Sequence, residues 1–114
     1  MDAEILQIES ERIRIKTPLG EWNVLPSTSL ELNTGTTCTL AFRPEAVVCD
    51  ATESAVNVFT GRIEKSAFLG ESSFRTISAA NLTISVNEYA GPERADGIEL
   101  RFAIAPDKIC ILEK

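Results

Sequence analysis

One figure occurs twice in this chain and constrains what it can fold into. Thr39-Leu40-Ala41-Phe42-Arg43-Pro44-Glu45-Ala46-Val47-Val48 reads as a strand that stops at a proline, makes one turn and returns as a second short strand. Leu40 and Phe42 share a face by the two-residue period, and Cys38 joins them two residues earlier. Pro44 has a fixed φ and no N–H, which suits the first position of a short helical turn, and Glu45 then lies where the local dipole favours a carboxylate. The figure returns as Arg101-Phe102-Ala103-Ile104-Ala105-Pro106-Asp107-Lys108-Ile109-Cys110. Gly97 follows Gly35 by 62 residues (97 − 35), and Pro106 follows Pro44 by the same 62 (106 − 44). At that offset Cys38, Leu40 and Phe42 fall on Leu100, Phe102 and Ile104, Glu45 falls on Asp107, and Ile15, Trp22 and Val24 fall on Ile77, Ile84 and Val86. The period exceeds those of solenoids and propellers. The sequence therefore predicts two related β units, roughly 3–50 and 55–114, in a single domain.

The remaining text is also β. Strands are predicted at Glu4–Ile8, Glu11–Lys16 and Glu21–Leu25, with Pro18-Leu19-Gly20 turning between the second and third. Pro26 to Thr36 reads as a polar loop, and Asp50 to Ala55 as a polar hinge. The second unit opens with Asn57–Glu64, where Gly61 signals a bulge, a sharp coil or the close approach of another backbone. Ser66–Glu71 reads as its closing glycine turn, Phe74–Ser78 and Leu82–Val86 as a hairpin, and Tyr89–Asp96 as a polar turn region. No stretch has helical periodicity, so helix is confined to the turns after Pro44 and Pro106. Nine or ten short strands with Gly, Pro and Asn turns predict an all-β, OB-like Greek-key barrel or sandwich. Leu40, Phe42, Phe102 and Ile104 are the predicted inward positions.

Composition bounds the chemistry. A length of 114 residues supports a core without disulfides or metals. A net charge of −6 opposes a nucleic-acid or anionic-membrane surface, since phosphates need clustered cations, and a nucleic-acid-binding OB domain would also need exposed aromatics on a basic face. Cys38, Cys49 and Cys110 form no Cys-x-x-Cys, and with no histidine to complete a zinc site they read as reduced core thiols. No phosphate loop and no nucleophile elbow is present. The acidic residues are scattered, so a paired-carboxylate site is indicated nowhere, and catalysis by the chain is not expected. Glu11, Arg12, Arg14 and Lys16 read as a solvated strand face. Arg43 has two readings, a local salt bridge to Glu45 or a partner contact. Gly70, after Leu69, reads plainly as a turn residue that takes positive φ.

Four ordered blocks carry a family likeness: Leu40-Ala41-Phe42-Arg43-Pro44-Glu45, Asn57-Val58-Phe59-Thr60-Gly61-Arg62-Ile63, Phe68-Leu69-Gly70, and the stretch from Gly97 through Phe102-Ala103-Ile104-Ala105-Pro106-Asp107-Lys108-Ile109. They resemble the TOBE (transport-associated OB) domain, which forms the C-terminal part of ATP-binding subunits in ABC importers. The resemblance implies a regulatory and dimerisation domain, cytoplasmic and peripheral at the inner face of the membrane through the transporter complex. Its implied partners are the ATPase domain of its own subunit, a second copy of the subunit, the membrane subunits indirectly, and a regulatory protein or small solute. It implies that the chain is cut from a longer subunit, that ATP and Mg²⁺ are bound by the missing ATPase domain, and that no cofactor belongs to this chain. Within it, Arg43, Glu45, Phe68, Leu69 and Gly70 are the candidate partner-interface residues. The alternative is a small-ligand module holding an oxyanion or the transported solute between the two β units.

Overall fold

The computed structural model describes residues 1–26 and 33–112, so part of the predicted Pro26–Thr36 loop lies outside the described residues. Among the described residues, ten strands form two five-stranded antiparallel sheets: β1 (Asp2–Ile8), β2 (Ile13–Thr17), β3 (Gly20–Val24), β4 (Thr37–Phe42), β5 (Val47–Cys49), β6 (Val58–Phe68), β7 (Ser72–Ala79), β8 (Leu82–Tyr89), β9 (Glu99–Ile104) and β10 (Ile109–Leu112). The only helical pieces among the described residues are 3₁₀ turns at Pro44–Ala46 and Pro106–Lys108, as the prolines predict. The sheet orders are β10-β4-β1-β2-β3 and β5-β9-β6-β7-β8, so adding five to β4, β1, β2 and β3 gives β9, β6, β7 and β8, while β10 and β5 stand at matching edges of opposite sheets.

This match extends to single residues. Ile15 pairs with Trp22 and Ile77 with Ile84; Phe42 pairs with Ile109 and Ile104 with Val47. Both first strands carry an irregularity at the same place, between Ile5 and Gln7 and between Ile63 and Lys65. In both, the turn glycine donates to the residue before it: Gly35 N–H to Ile5 O at 2.7 Å and Gly97 N–H to Ile63 O at 2.6 Å. The units are not the sheets, however. β5 leaves the first unit to pair with β9, and β10 leaves the second to pair with β4. Each unit thus lends its last strand to the other.

One core joins the two sheets. Trp22 of β3 lies 5.8 Å from Phe59 of β6, and Phe59 stacks on Phe102 of β9 at 5.5 Å. Leu40, Phe102 and Ile104 are buried as predicted, whereas Phe42 is only partly buried and meets Trp22 edge-on at 6.5 Å. Phe42 ends β4 at the rim, where the chain must leave the sheet for Arg43 and Pro44. Gly61 is the close-approach case: a Cβ there would fall 2.5 Å from Ile77 Cγ2 and 3.3 Å from the Phe102 ring.

Several strand ends differ from the sequence reading, that of β6 the most. β6 runs four residues past Glu64, because the irregularity at Ile63/Lys65 resets the alternation and the sequence pattern breaks there. The cysteines also diverge: Cys38 is buried, Cys49 half-buried and Cys110 exposed on the outer side of β10.

Asn57 ties the exchange together. It sits at φ +56°, a left-handed value that asparagine tolerates better than most residues. Its Oδ1 accepts from Asn23 N–H at 2.7 Å, and its Nδ2 donates to Asn23 O at 2.8 Å and to Ile104 O at 2.9 Å. The side chain therefore acts as a short piece of strand between β3 and β9. Asn57→Ala leaves these buried backbone groups without partners and is expected to cost about 2–3 kcal/mol in urea unfolding. A loss within experimental error would remove the clamp from the argument.

Candidate ligand groove

The two proline turns are built alike. Arg43 (φ −81°, ψ 148°) and Ala105 (φ −63°, ψ 143°) are extended, as residues before proline must be. Ala46 N–H donates to Arg43 O at 3.0 Å, and Lys108 N–H to Ala105 O at 3.0 Å. Because β4 pairs with β10, the exchange places the two turns side by side. Between them lies an open groove of about 730 Å³, lined by Phe42, Arg43, Glu45, Asp107, Lys108 and Cys110 together with two alanines.

Four charged groups line this groove, two of each sign, and all are exposed. The local Arg43–Glu45 salt bridge does not form. Among the described residues the ion pairs are Arg12–Glu9, Arg14–Glu21, Arg75–Glu88, Arg94–Glu88 and Arg101–Glu53. Arg43 and Lys108 are in none of them, so neither cation is held in a close ion pair, although Glu45 and Asp107 line the same groove. The repeat offset makes Glu45 and Asp107 equivalent positions, but only the strand exchange, which the sequence did not reveal, brings their turns together, and Lys108 and Cys110 carried no signal of their own.

Phe68, Leu69 and Gly70 lie elsewhere, at the tip of the β6–β7 hairpin. Gly70 takes φ +83°, as a glycine turn there requires. Phe68 and Leu69 are 75% and 61% exposed. Phe68 and Gly70 border a second hollow of about 450 Å³, lined also by Glu71, Ser73, Tyr89 and the Ala90-Gly91 turn. Here the Tyr89 hydroxyl donates to Glu71, and that bond raises the phenol above its ordinary value. The structure therefore divides the five candidate residues between two places that share no lining residue.

One polar cluster is absent from the sequence reading. Arg75 is 2% exposed and donates to Glu88 Oε1 (3.1 Å), Ser66 Oγ (2.8 Å) and Pro92 O (3.1 Å). Arg94 closes on both oxygens of Glu88, at 3.0 Å and 2.9 Å. The hydrogen bond from Arg94 holds the Glu88 carboxyl below its ordinary value against the opposing effect of burial. Burial and then Glu88 push the neighbouring Cys49 thiol up to about 11, so this cysteine stays protonated near neutral pH. The cluster pins the Tyr89–Asp96 stretch to the sheet.

Taken together, these features define an all-β, OB-like fold with two interlocked units. No family description and no curated protein matches the sequence. Among solved structures, the chain is similar to the cytoplasmic molybdate-binding protein ModG in a molybdate-bound crystal form, with a TM-score of 0.80 at 13% identity, covering 99% of this chain and 94% of that one. At that identity the likeness is one of fold. No helix among the described residues is long and apolar enough to cross a membrane.

Proposed function

We propose that this chain is a small-ligand binding module whose groove between the proline turns takes an oxyanion. The observation that carries the reading is the pair of cations outside any ion pair, Arg43 and Lys108, brought from different units to one groove by the strand exchange. The fold likeness to a molybdate-binding protein supports the same class of ligand. Arg43 supplies a planar fork that matches two oxygens of a tetrahedral anion, and Lys108 adds a point charge. Glu45 and Asp107 oppose an anion and set its selectivity. The module binds and does not catalyse.

Calorimetric titration with molybdate, tungstate, sulfate and phosphate tests this directly. At least one anion is expected to bind saturably, and Arg43→Ala or Lys108→Ala to weaken it about tenfold or more, as loss of a charge-assisted hydrogen bond implies. Glu45→Gln is expected to tighten an anion; if it instead weakens a cationic solute, the ligand has the opposite charge. Absence of binding by all four anions would remove the oxyanion reading.

A second reading keeps the chain as the regulatory and dimerisation domain of an ABC importer's ATP-binding subunit, acting at the inner face of the membrane. The exposed Phe68-Leu69 turn favours it, because large apolar side chains at a loop tip suit a partner contact. There Arg43 would bond a partner, and Arg43→Ala would lower subunit association while leaving anion titrations unchanged.

A further inference from the structure

The β6–β7 hairpin is longer than its counterpart. Ile5 and Ile15 are ten residues apart (15 − 5), while Ile63 and Ile77 are fourteen apart (77 − 63), although both pairs occupy the same register. The four extra residues lengthen a ribbon that outruns its neighbour on one side. β9 pairs with β6 only as far as Arg62–Glu99, with one further pair of bonds at Ile63. Beyond it, Glu64 to Phe68 are all exposed; Glu64 sits in the irregularity, and Lys65 to Phe68 pair with β7 alone. Leu69 N–H donates to Ser72 O on the β7 side at 2.8 Å. By alternation Ala67 and Lys65 also face β7, so the backbone N–H and C=O groups of Ser66 and Phe68 point away from the sheet.

We infer that this edge pairs with the same edge of a second copy of the chain, extending the sheet across a two-fold axis. A perpendicular axis through Ala67 sets Ser66 opposite Phe68 of the second copy, and Phe68 opposite its Ser66. Each such pair exchanges two backbone hydrogen bonds, and every outward group of the edge is used. The side chains agree with this register. Alanine meets alanine where the strands come closest, Lys65 faces Leu69, and no like charges stand opposite each other. Lys65 also lies beside the Gly70-Glu71 turn of the second copy, where a carboxylate complements it. The exposed Phe68 and Leu69 are then covered from the partner side, and one patch contacts itself, as a two-fold dimer requires. The inference holds whether or not the groove takes an anion.

Sedimentation equilibrium over a concentration series reads the association. The chain is expected to dimerise, and Ala67→Lys, which sets two ammonium groups face to face on the axis, to raise the dissociation constant at least about tenfold, with the circular dichroism unchanged. A second arm fixes the register in a Cys110→Ser background. Ala67→Cys places two sulfurs on Cα atoms about 4.5 Å apart, within the roughly 4.4–6.8 Å that a disulfide spans, so it should crosslink under mild oxidation. Lys65→Cys, about 14 Å from its own mate at the strand rise, should not. A chain that stays monomeric throughout, a dimer indifferent to Ala67→Lys, or crosslinking at residue 65 in place of 67 would each overturn the inference.

Discussion

Replacing Glu88 with alanine is expected to remove about 3–5 kcal/mol of stability, measured by urea unfolding at neutral pH, because it leaves buried guanidinium groups without a counter-charge. Arg75 and Arg94 both close on this carboxylate, and Arg75 is almost wholly enclosed. Arg75 occupies the place that Ile13 holds in the first unit, 62 residues earlier (75 − 13), so one unit fills with an isoleucine what the other fills with an ion cluster. Arg75→Ile should accordingly cost less than Glu88→Ala, since the Glu88–Arg94 pair survives and the site returns to its twin's chemistry. The acid response has a definite sign. Glu88 titrates below its ordinary 4.5 in the folded protein, so its stabilisation is complete above that value and is lost as pH falls through the folded value. The difference between wild type and Glu88→Ala should shrink on acidification. A difference that stayed constant down to strongly acid pH would show that Arg94 does not hold the carboxylate.

Phe102→Ala is the second large effect, expected at about 3–5 kcal/mol. Its ring is fully buried, stacks on Phe59 and packs beside the bare backbone of Gly61. Little can move to fill the space, because Phe59 is already held by Trp22 from the other unit. Phe42→Ala, at the end of β4 and only partly buried, should cost clearly less. Thermal and urea unfolding of the two variants side by side is the check; equal losses would mean that the rim is as well packed as the centre.

The strand faces were legible because the period of two survives in β4, β7, β8 and β9, and the proline turns because Pro44 and Pro106 admit few other conformations. The exchange of β5 and β10 was not. Strands of three and four residues carry too little pattern to say which edge they join. β6 looked finished at Glu64 because its irregularity shifts the phase, so Lys65 to Phe68 no longer alternate as strand. Arg75 stayed invisible for a different reason: an arginine among Phe74, Thr76 and Ser78 reads as solvated until its partners, far along the chain, are known. Of the groove, Arg43 and Glu45 were singled out and Glu45 was matched to Asp107 by the repeat, but that the two turns meet depends on the exchange. That Arg43 lacks the Glu45 bridge is a matter of side-chain geometry, which no spacing records.

The reciprocal loan of strands has a consequence for synthesis. β4 is made early, yet one of its edges is filled only by β10, which ends at Leu112. During translation the first sheet therefore emerges with an open edge, and it stays open until nearly all of the described chain has left the ribosome. An unpaired edge is a template for other strands, and long-range pairings form slowly. The nascent first half is thus the stage at which β4 is most exposed to misassociation, and the last of the described strands is the one that covers its edge.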